Sequence, residues 1–300
     1  MASEIGWELY RSFLAVLKEG SLSGAARGLG VAQPTIGRHI AALEKSLDLA
    51  LFTRSPTGLL PTEAALALQT HAEAMASTAA ALERAAASQG EGVRGVVRIT
   101  ASEIIGVEVL PNVLGRLHAR YPDLEVELVL TNRVQDLLRR EADIAVRMTP
   151  PRQENLVARR IGAVELGLYA RRDYLERRGT PRNLTELAEH SIIGFDQVTA
   201  YLRTASKSLP AFSRDLFSLR SDSDLAQLAL LRAGAGMGLC QVPIAKRSEG
   251  LVRILPRQIS IALETWITMH EDLRGRPGCR AAFEALVAGL AEHVAAGSAR

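Results

Sequence analysis

The sequence predicts a multidomain α+β protein: a small helical N-terminal module with a short β wing, one long connecting helix, and a larger two-lobed α/β region. Three patterns carry that prediction. Ser21 to Leu47, SLSGAARGLGVAQPTIGRHIAALEKSL, reads as two helices joined by a tight turn. A following Ala-rich run lacks Gly and Pro, as a continuous helix requires. From Val96 onward, β-rich runs alternate with helical ones, the pattern of a largely parallel sheet with covered faces.

In the first stretch, small residues at Ala25 and Ala26 let another helix approach, and Gly30 permits a sharp bend. Ser21 suits an N-cap after the break at Gly20, and Pro34 suits a first helical turn. Ile36, Ile40, Leu43 and Leu47 form one apolar stripe at 4-3-4 spacing. Gln33, Thr35, Gly37, Arg38 and His39 are assigned to the outward face. A helix pinned by its inner stripe and showing short polar and basic groups outward fits the major groove of DNA. The competing reading is a helical hairpin whose polar side faces water. Upstream, Tyr10, Phe13, Leu14 and Leu17 make a third amphipathic helix. Downstream, LFTRSPTGLLPT places a Ser55-Pro56-Thr57-Gly58 turn between strand-like residues, a wing carrying Arg54. Gln33, Thr35, Arg38 and His39 are the candidate DNA contacts on the helix, and Arg54 is the candidate phosphate contact.

Together these features resemble the N-terminal winged helix-turn-helix of LysR-type transcriptional regulators. The matching residues are Phe13, Gly20-Ser21, Ala25-Ala26, Leu29, Gln33-Pro34, Ile40, Leu43-Glu44, Leu51-Phe52, Arg54 and Pro61-Thr62. Ala32 and Gly37 depart from the family's usual Ser. Ala is a poor N-cap, at a local cost of roughly 1 kcal/mol. Both departures bear on which operator is read, not on whether DNA is bound.

The Ala-rich run AALALQTHAEAMASTAAALERAAAS repeats Leu68, Ala72, Met75, Ala79, Leu82 and Ala86 at heptad spacing. So few large apolar groups need a partner to cover them, and Leu68, Met75 and Leu82 are the candidate dimerisation residues. The alternative is a helix lying on its own domain. The resemblance favours the pair, which would present two recognition helices to a two-fold symmetric site. Ser88-Gln89-Gly90-Glu91-Gly92 reads as a linker. The expected boundaries are therefore 1–62 for the DNA-binding module, 63–92 for the dimerisation helix and hinge, and 93–300 for the α/β region. Within that region the first lobe takes about 93–163 and 268–300, and the second about 164–267.

Expected elements in the α/β region include a strand at Val96 to Ala101 and one helix from Val107 to Ala119. A β-rich run at Val126 to Leu130, a helix at Val134 to Arg140 and a buried strand at Ile144 to Arg147 follow. A second unit starts at Leu166-Gly167-Leu168-Tyr169, and a closing helix spans Arg280 to Val294. Two such lobes joined by crossing strands resemble the effector domain of the same family, itself similar to periplasmic binding proteins. DIAVR, LGLYARRDYLERRG and LRAGAGMGLCQVP are the family-like pieces. By that resemblance the strand ends line an effector pocket, at Thr100, Ser102, Thr131, Arg147 and Phe195. Hydroxyls with an Arg suit a small carboxylate or other anion. Helix capping by Ser102 and Thr131, and a surface ion pair for Arg147, are the alternatives.

Composition narrows the function classes. The chain has 300 residues, 47% of them hydrophobic, enough for more than one packed core. A net charge of +3 permits nucleic-acid binding through a few placed cations. The 4% aromatic content argues against stacking on single strands. Two cysteines, Cys240 and Cys279, suit a reducing cytoplasm, and neither a signal peptide nor a membrane span is expected. Gly234, Gly236 and Gly238 follow a helix and precede a strand, the wrong order for a dinucleotide loop. The six histidines lack metal-ligand spacing, and no GxSxG appears. No cofactor or metal is expected, and no catalytic residue. The expected partners are double-stranded DNA, an unidentified small-molecule effector, and the chain itself as dimer or tetramer. The resemblance adds RNA polymerase. The alternatives from other classes are an α/β enzyme or a small-molecule binding protein with an appended helical module.

Overall fold

Helix α1 (Trp7–Glu19) buries Ser12, Phe13 and Val16 on one face and stops at Gly20, whose φ of 64° is left-handed. The structure, a computed structural model, describes residues 5–56, 58–87, 92–132, 142–151, 156–197 and 213–298. The described residues up to 85 form one unit, and those from 86 onward form another.

In the first unit, α2 (Leu22–Leu29) begins at Ser21, whose Oγ accepts from Gly24 N at 3.1 Å. It ends at Gly30, where φ is 67° and a side chain would be strained. Helix α3 (Gln33–Leu47) buries Ile36, Ile40 and Leu43, while Leu47 is half-buried. Each of the three buried side chains contributes roughly 1.5–3 kcal/mol of hydrophobic stabilisation. Ala32 provides no side-chain cap, as its lack of a polar group dictates. Strands β1 (Phe52–Ser55) and β2 (Gly58–Pro61) pair antiparallel as the wing. Thr57, in the expected turn, lies outside the described residues. The wing is pinned at both ends. Leu59 N donates to Gly20 O at 2.8 Å, and Gly58 sits so close that a Cβ would lie 2.5 Å from the same oxygen. Glu44 Oε1 accepts from Leu51 N at 2.7 Å and Phe52 N at 3.3 Å.

Thr62 opens the long helix α4 (Glu63–Ala87). Its hydroxyl donates to Ala50 O at 2.8 Å and accepts from Ala65 N at 3.2 Å. The seam divides along α4. Leu68 and Ala72 pack on the core of their own module, with Phe13, Ile40 and Leu51. Farther on, Met75 is 43% and Leu82 72% exposed. The linker residues 88–91 and the expected helix at 134–140 lie outside the described residues.

The second unit is built on a mixed sheet, not the largely parallel one expected. Strand β3 (Gly95–Ala101) pairs in parallel with β4 (Leu124–Leu130) and β5 (Ile144–Arg147). The 16-residue β6 (Leu156–Arg171) and the 10-residue β11 (Ile261–His270) run antiparallel to each other. Strands β9 (Gly238–Gln241) and β10 (Leu251–Ile254) add to β6, also antiparallel. A separate pair, β7 (Ile192–Gly194) and β8 (Phe217–Arg220), is parallel. The antiparallel character follows from the crossing strands. Their register shifts at Thr265/Trp266, and opposite directions are needed for the chain to leave one lobe and return.

Two helices replace the single one expected at Val107 to Ala119: α5 (Glu103–Glu108) and α6 (Leu110–Arg120). The break falls at Val109, ψ −52° and φ −122°, ahead of Pro111, whose ring and missing N–H oppose a continuous ladder. Helices α7 (Arg172–Arg178), α8 (Asp224–Arg232) and α9 (Val242–Lys246) cover the second lobe. A 3₁₀ turn spans Thr185–Glu189. The 22-residue α10 (Pro277–Ser298) buries Ala282, Leu286 and Leu290 in the first lobe's core. Its far end reaches the second lobe, where His293 Nε2 pairs with Gln241 Oε1 at 2.8 Å and Lys246 donates to Ala296 O at 3.1 Å.

Candidate functional site

In the N-terminal unit, the buried stripe of α3 leaves Gln33, Arg38 and Lys45 exposed and Thr35 half-buried. Arg38 Nη2 lies 3.4 Å from Thr35 Oγ1, one helical turn back, so the two form one polar patch. Gly37 has only Leu22 Cδ1, at 3.8 Å, near the place of a Cβ, so a side chain would fit there. Arg54 is exposed on β1. His39 is half-buried like Thr35, and its Nδ1 pairs with Ser12 Oγ of α1 at 2.8 Å. It lies about 60° from the centre of the buried stripe, where a long side chain reaches the neighbouring helix before it reaches solvent.

The effector candidates converge only in part. Arg147, at the end of β5, is half-buried. Its Nη2 donates to Thr100 Oγ1 at 2.9 Å and its Nη1 to Val146 O at 2.9 Å. No carboxylate pairs with it among the described residues. Burial pulls its pKa down to about 10, so it stays charged at neutral pH in a poorly solvated place. Thr100 is fully buried, so its hydroxyl holds Arg147 in position. Ser102 precedes α5 with extended backbone, but its side chain makes no capping bond, so capping does not account for it. Thr131 N donates to Ala101 O at 2.9 Å, extending the β3–β4 ladder by one residue. Phe195 follows β7 on the other lobe and is half-buried.

A network that sequence reasoning missed ties the lobes at this end. Ser223 Oγ donates to Glu103 Oε2 at 2.9 Å. Asn132 Nδ2 donates to Asp224 Oδ2 at 3.0 Å, and Asn132 Oδ1 accepts from Glu103 N at 3.2 Å. The starts of α5 and α8 therefore face each other. Burial, with the Glu103 charge adding to it, raises Asp224 to about 6, against the lowering bond from Asn132. At the other end of α5, Glu108 takes both Nη atoms of Arg232 at 2.7 Å, with Arg247 donating to its backbone carbonyl. The Arg232 bond holds the Glu108 carboxyl below its usual range. Ser221-Asp222-Ser223-Asp224, between a strand and a helix, has the same grammar as Thr100-Ala101-Ser102-Glu103, and that parallel was the available signal.

Elsewhere, Cys240 is buried and its thiol is pushed up to about 12, which leaves almost no thiolate for redox chemistry. A shallow groove of about 330 Å³ lies between α6 and α10, lined by Val113, Leu117, Tyr121 and Ala285. None of its lining residues is one of the strand-end candidates. No described helix is long and apolar enough to cross a membrane.

A three-helix module with an exposed polar patch on its third helix and a basic wing defines a winged helix-turn-helix. The second unit defines a two-lobed α/β domain with crossing strands. Residues 7–66 match the family model for the bacterial regulatory helix-turn-helix protein, lysR family, and residues 90–291 match that for the LysR substrate binding domain. The chain belongs to the LysR family of transcriptional regulators. It is 32% identical over 255 residues to the HTH-type transcriptional regulator ShiR of Corynebacterium glutamicum, covering 83% of this chain and 84% of that one. An HTH-type transcriptional regulator of Xanthomonas campestris is 33% identical over 178 residues, 59% of this chain. The match spans only 52% of that relative's length, about half. The crystal structure of full-length CbnR complexed with the target DNA shares the fold with a TM-score of 0.64 at 22% identity, covering 97% of this chain and 99% of that one.

Proposed function

We propose that this protein is a sequence-specific DNA-binding transcriptional regulator controlled by a small anionic effector. The observation that carries the reading is α3. Its back is buried by Ile36, Ile40 and Leu43, and it presents Gln33, Thr35 and Arg38 outward beside a wing bearing Arg54. Gln33, Thr35 and Arg38 reach base edges, and Arg54 sits on phosphate. The exposed apolar residues Met75 and Leu82 of α4 support pairing of two copies, each offering one α3 to a two-fold symmetric site. Tetramers, contact with RNA polymerase and action in the cytoplasm belong to the same reading. So does the division into residues 1–62, 63–92 and 93–300.

The effector lies between the lobes. Arg147, a half-buried cation with no carboxylate partner among the described residues, is its anchor, with Ser102, Thr131 and Phe195 around it. A ligand there acts through its different affinity for two arrangements of the oligomer. The test is to select bound fragments from the source genome with the pure protein, then compare the best fragment with a scrambled duplex at fixed salt. Arg38→Ala is expected to weaken binding to that fragment by roughly 1–3 kcal/mol. Equal binding of fragment and scramble by the unsubstituted protein overturns the reading.

A further inference from the structure

His39 of α3 is held by a residue of α1. Ser12 is 2% exposed, and its Oγ sits 2.8 Å from His39 Nδ1, across 27 positions of sequence. A serine in mid-helix ordinarily passes its proton to the carbonyl four residues back. Here the His39 ring is the hydroxyl's hydrogen-bond partner among the described residues. A hydroxyl has a single proton, and a buried donor without an acceptor is costly. Donation from Ser12 Oγ to Nδ1, with the ring's own proton on Nε2, is the arrangement that satisfies the hydroxyl.

We propose that His39 is a positioning residue, pinned through Nδ1 by Ser12 so that the roll of α3 about its axis is fixed. This rests on the reading that α3 faces DNA. Apart from Glu44, whose Oε1 accepts from Leu51 N and Phe52 N near the far end of the helix, the contacts that seat α3 are the apolar Ile36, Ile40 and Leu43. Apolar burial is non-directional and tolerates a small rotation of the helix, whereas a short hydrogen bond does not. Side-chain tips lie about 6 Å from a helix axis, so a roll of about 10° moves them by about 1 Å. That displacement is enough to spoil a bidentate contact to a base edge. Arg38 adjoins His39, and Thr35 is one turn away, so both shift with it. Ser12 is thus a specificity residue that touches no DNA.

The two ring nitrogens separate this from direct contact. Asn places an acceptor where Nδ1 stands, and Gln places a polar group nearer Nε2. In the full-length protein, preference for the selected fragment over a scrambled duplex is measured for Ser12→Ala, His39→Asn, His39→Gln and His39→Leu. Thermal unfolding confirms that each variant is folded. Ser12→Ala, His39→Gln and His39→Leu are expected to lose about tenfold in preference, the scale of one hydrogen bond. His39→Asn keeps most of it, and Ser12→Ala adds nothing to His39→Leu. Retention by His39→Gln with loss by His39→Asn means direct DNA contact through Nε2 and overturns the proposal, as does full preference in Ser12→Ala. ¹⁵N-histidine NMR of the DNA-free protein reads the pin independently. The proton is expected on Nε2, moving to a tautomer mixture in Ser12→Ala. Should the unsubstituted protein show no preference at all, that spectrum still decides: a proton on Nε2 that redistributes in Ser12→Ala keeps the pin and removes the DNA reading, and a spectrum unchanged by Ser12→Ala removes the pin.

Discussion

Replacing Asp224 with Asn should stabilise the α/β unit, and by more at neutral than at acid pH. Asp224 begins α8, where burial foremost, then Glu103, raises its carboxyl from 3.8 to about 6. A group whose folded pKa is raised adds stability that is complete below its unfolded value. That stability is lost as pH rises through the folded value. The window here runs from about 4 to about 6, and above it the folded protein carries the full penalty of a buried carboxylate. At 1.36 kcal/mol per pH unit, that penalty is about 3 kcal/mol at pH 7.5 and about 1 kcal/mol at pH 4.5. Asn has nearly the shape of the protonated acid and keeps an acceptor or donor for Asn132, so Asp224→Asn should recover most of the difference. An advantage of about 2 kcal/mol at pH 7.5 over pH 4.5 corresponds to roughly 4–8 °C in Tm for a unit of this size. The assay is thermal unfolding followed by tryptophan fluorescence. The chain has two tryptophans, Trp7 in the N-terminal unit and Trp266 on β11, so Trp7→Phe in both backgrounds leaves a reporter in the α/β unit. An equal Tm change at the two pH values, or a larger gain at pH 4.5, would refute the reasoning.

Two further perturbations address the proposed function. Leu82→Asp puts a charge at a 72% exposed apolar position on α4. It should shift the oligomer to monomer in sedimentation and weaken binding to a two-half-site fragment at least tenfold, since each copy then binds alone; an unchanged sedimentation coefficient argues against pairing through this helix. Arg147→Ala removes the half-buried cation held by Thr100. It should abolish the change in DNA binding caused by the effector while leaving ligand-free affinity within about twofold, and a preserved response to ligand would exclude Arg147 as the anchor.

Much of the N-terminal unit was legible because its signals are local. Gly20 and Gly30 end helices whatever surrounds them, Ser21 caps from within its own turn, and the stripe at Ile36, Ile40 and Leu43 follows from helical periodicity alone. The partner of His39 was not legible, because His39 stands at the edge of that stripe, where periodicity gives no direction. Ser12, distant in sequence, decided its orientation. Leu68 and Ala72 show the same limit, since a heptad seam does not say whether the covering surface belongs to the same chain or to a second copy.

The residues alone determined that a groove-sized helix would be presented, that a long Ala-rich helix would follow, and that α/β lobes would come after. Each of these follows from near-neighbour spacing and backbone stereochemistry. Tertiary structure decided the rest. It set two long strands antiparallel within the sheet, buried Thr100 beneath Arg147, and brought Glu103 and Asn132 against Ser223 and Asp224. Those pairings join positions some fifty to over a hundred residues apart, and burial, not residue type, sets the charge state of Asp224. No periodicity encodes such contacts, because they depend on how separate elements fill one shared volume.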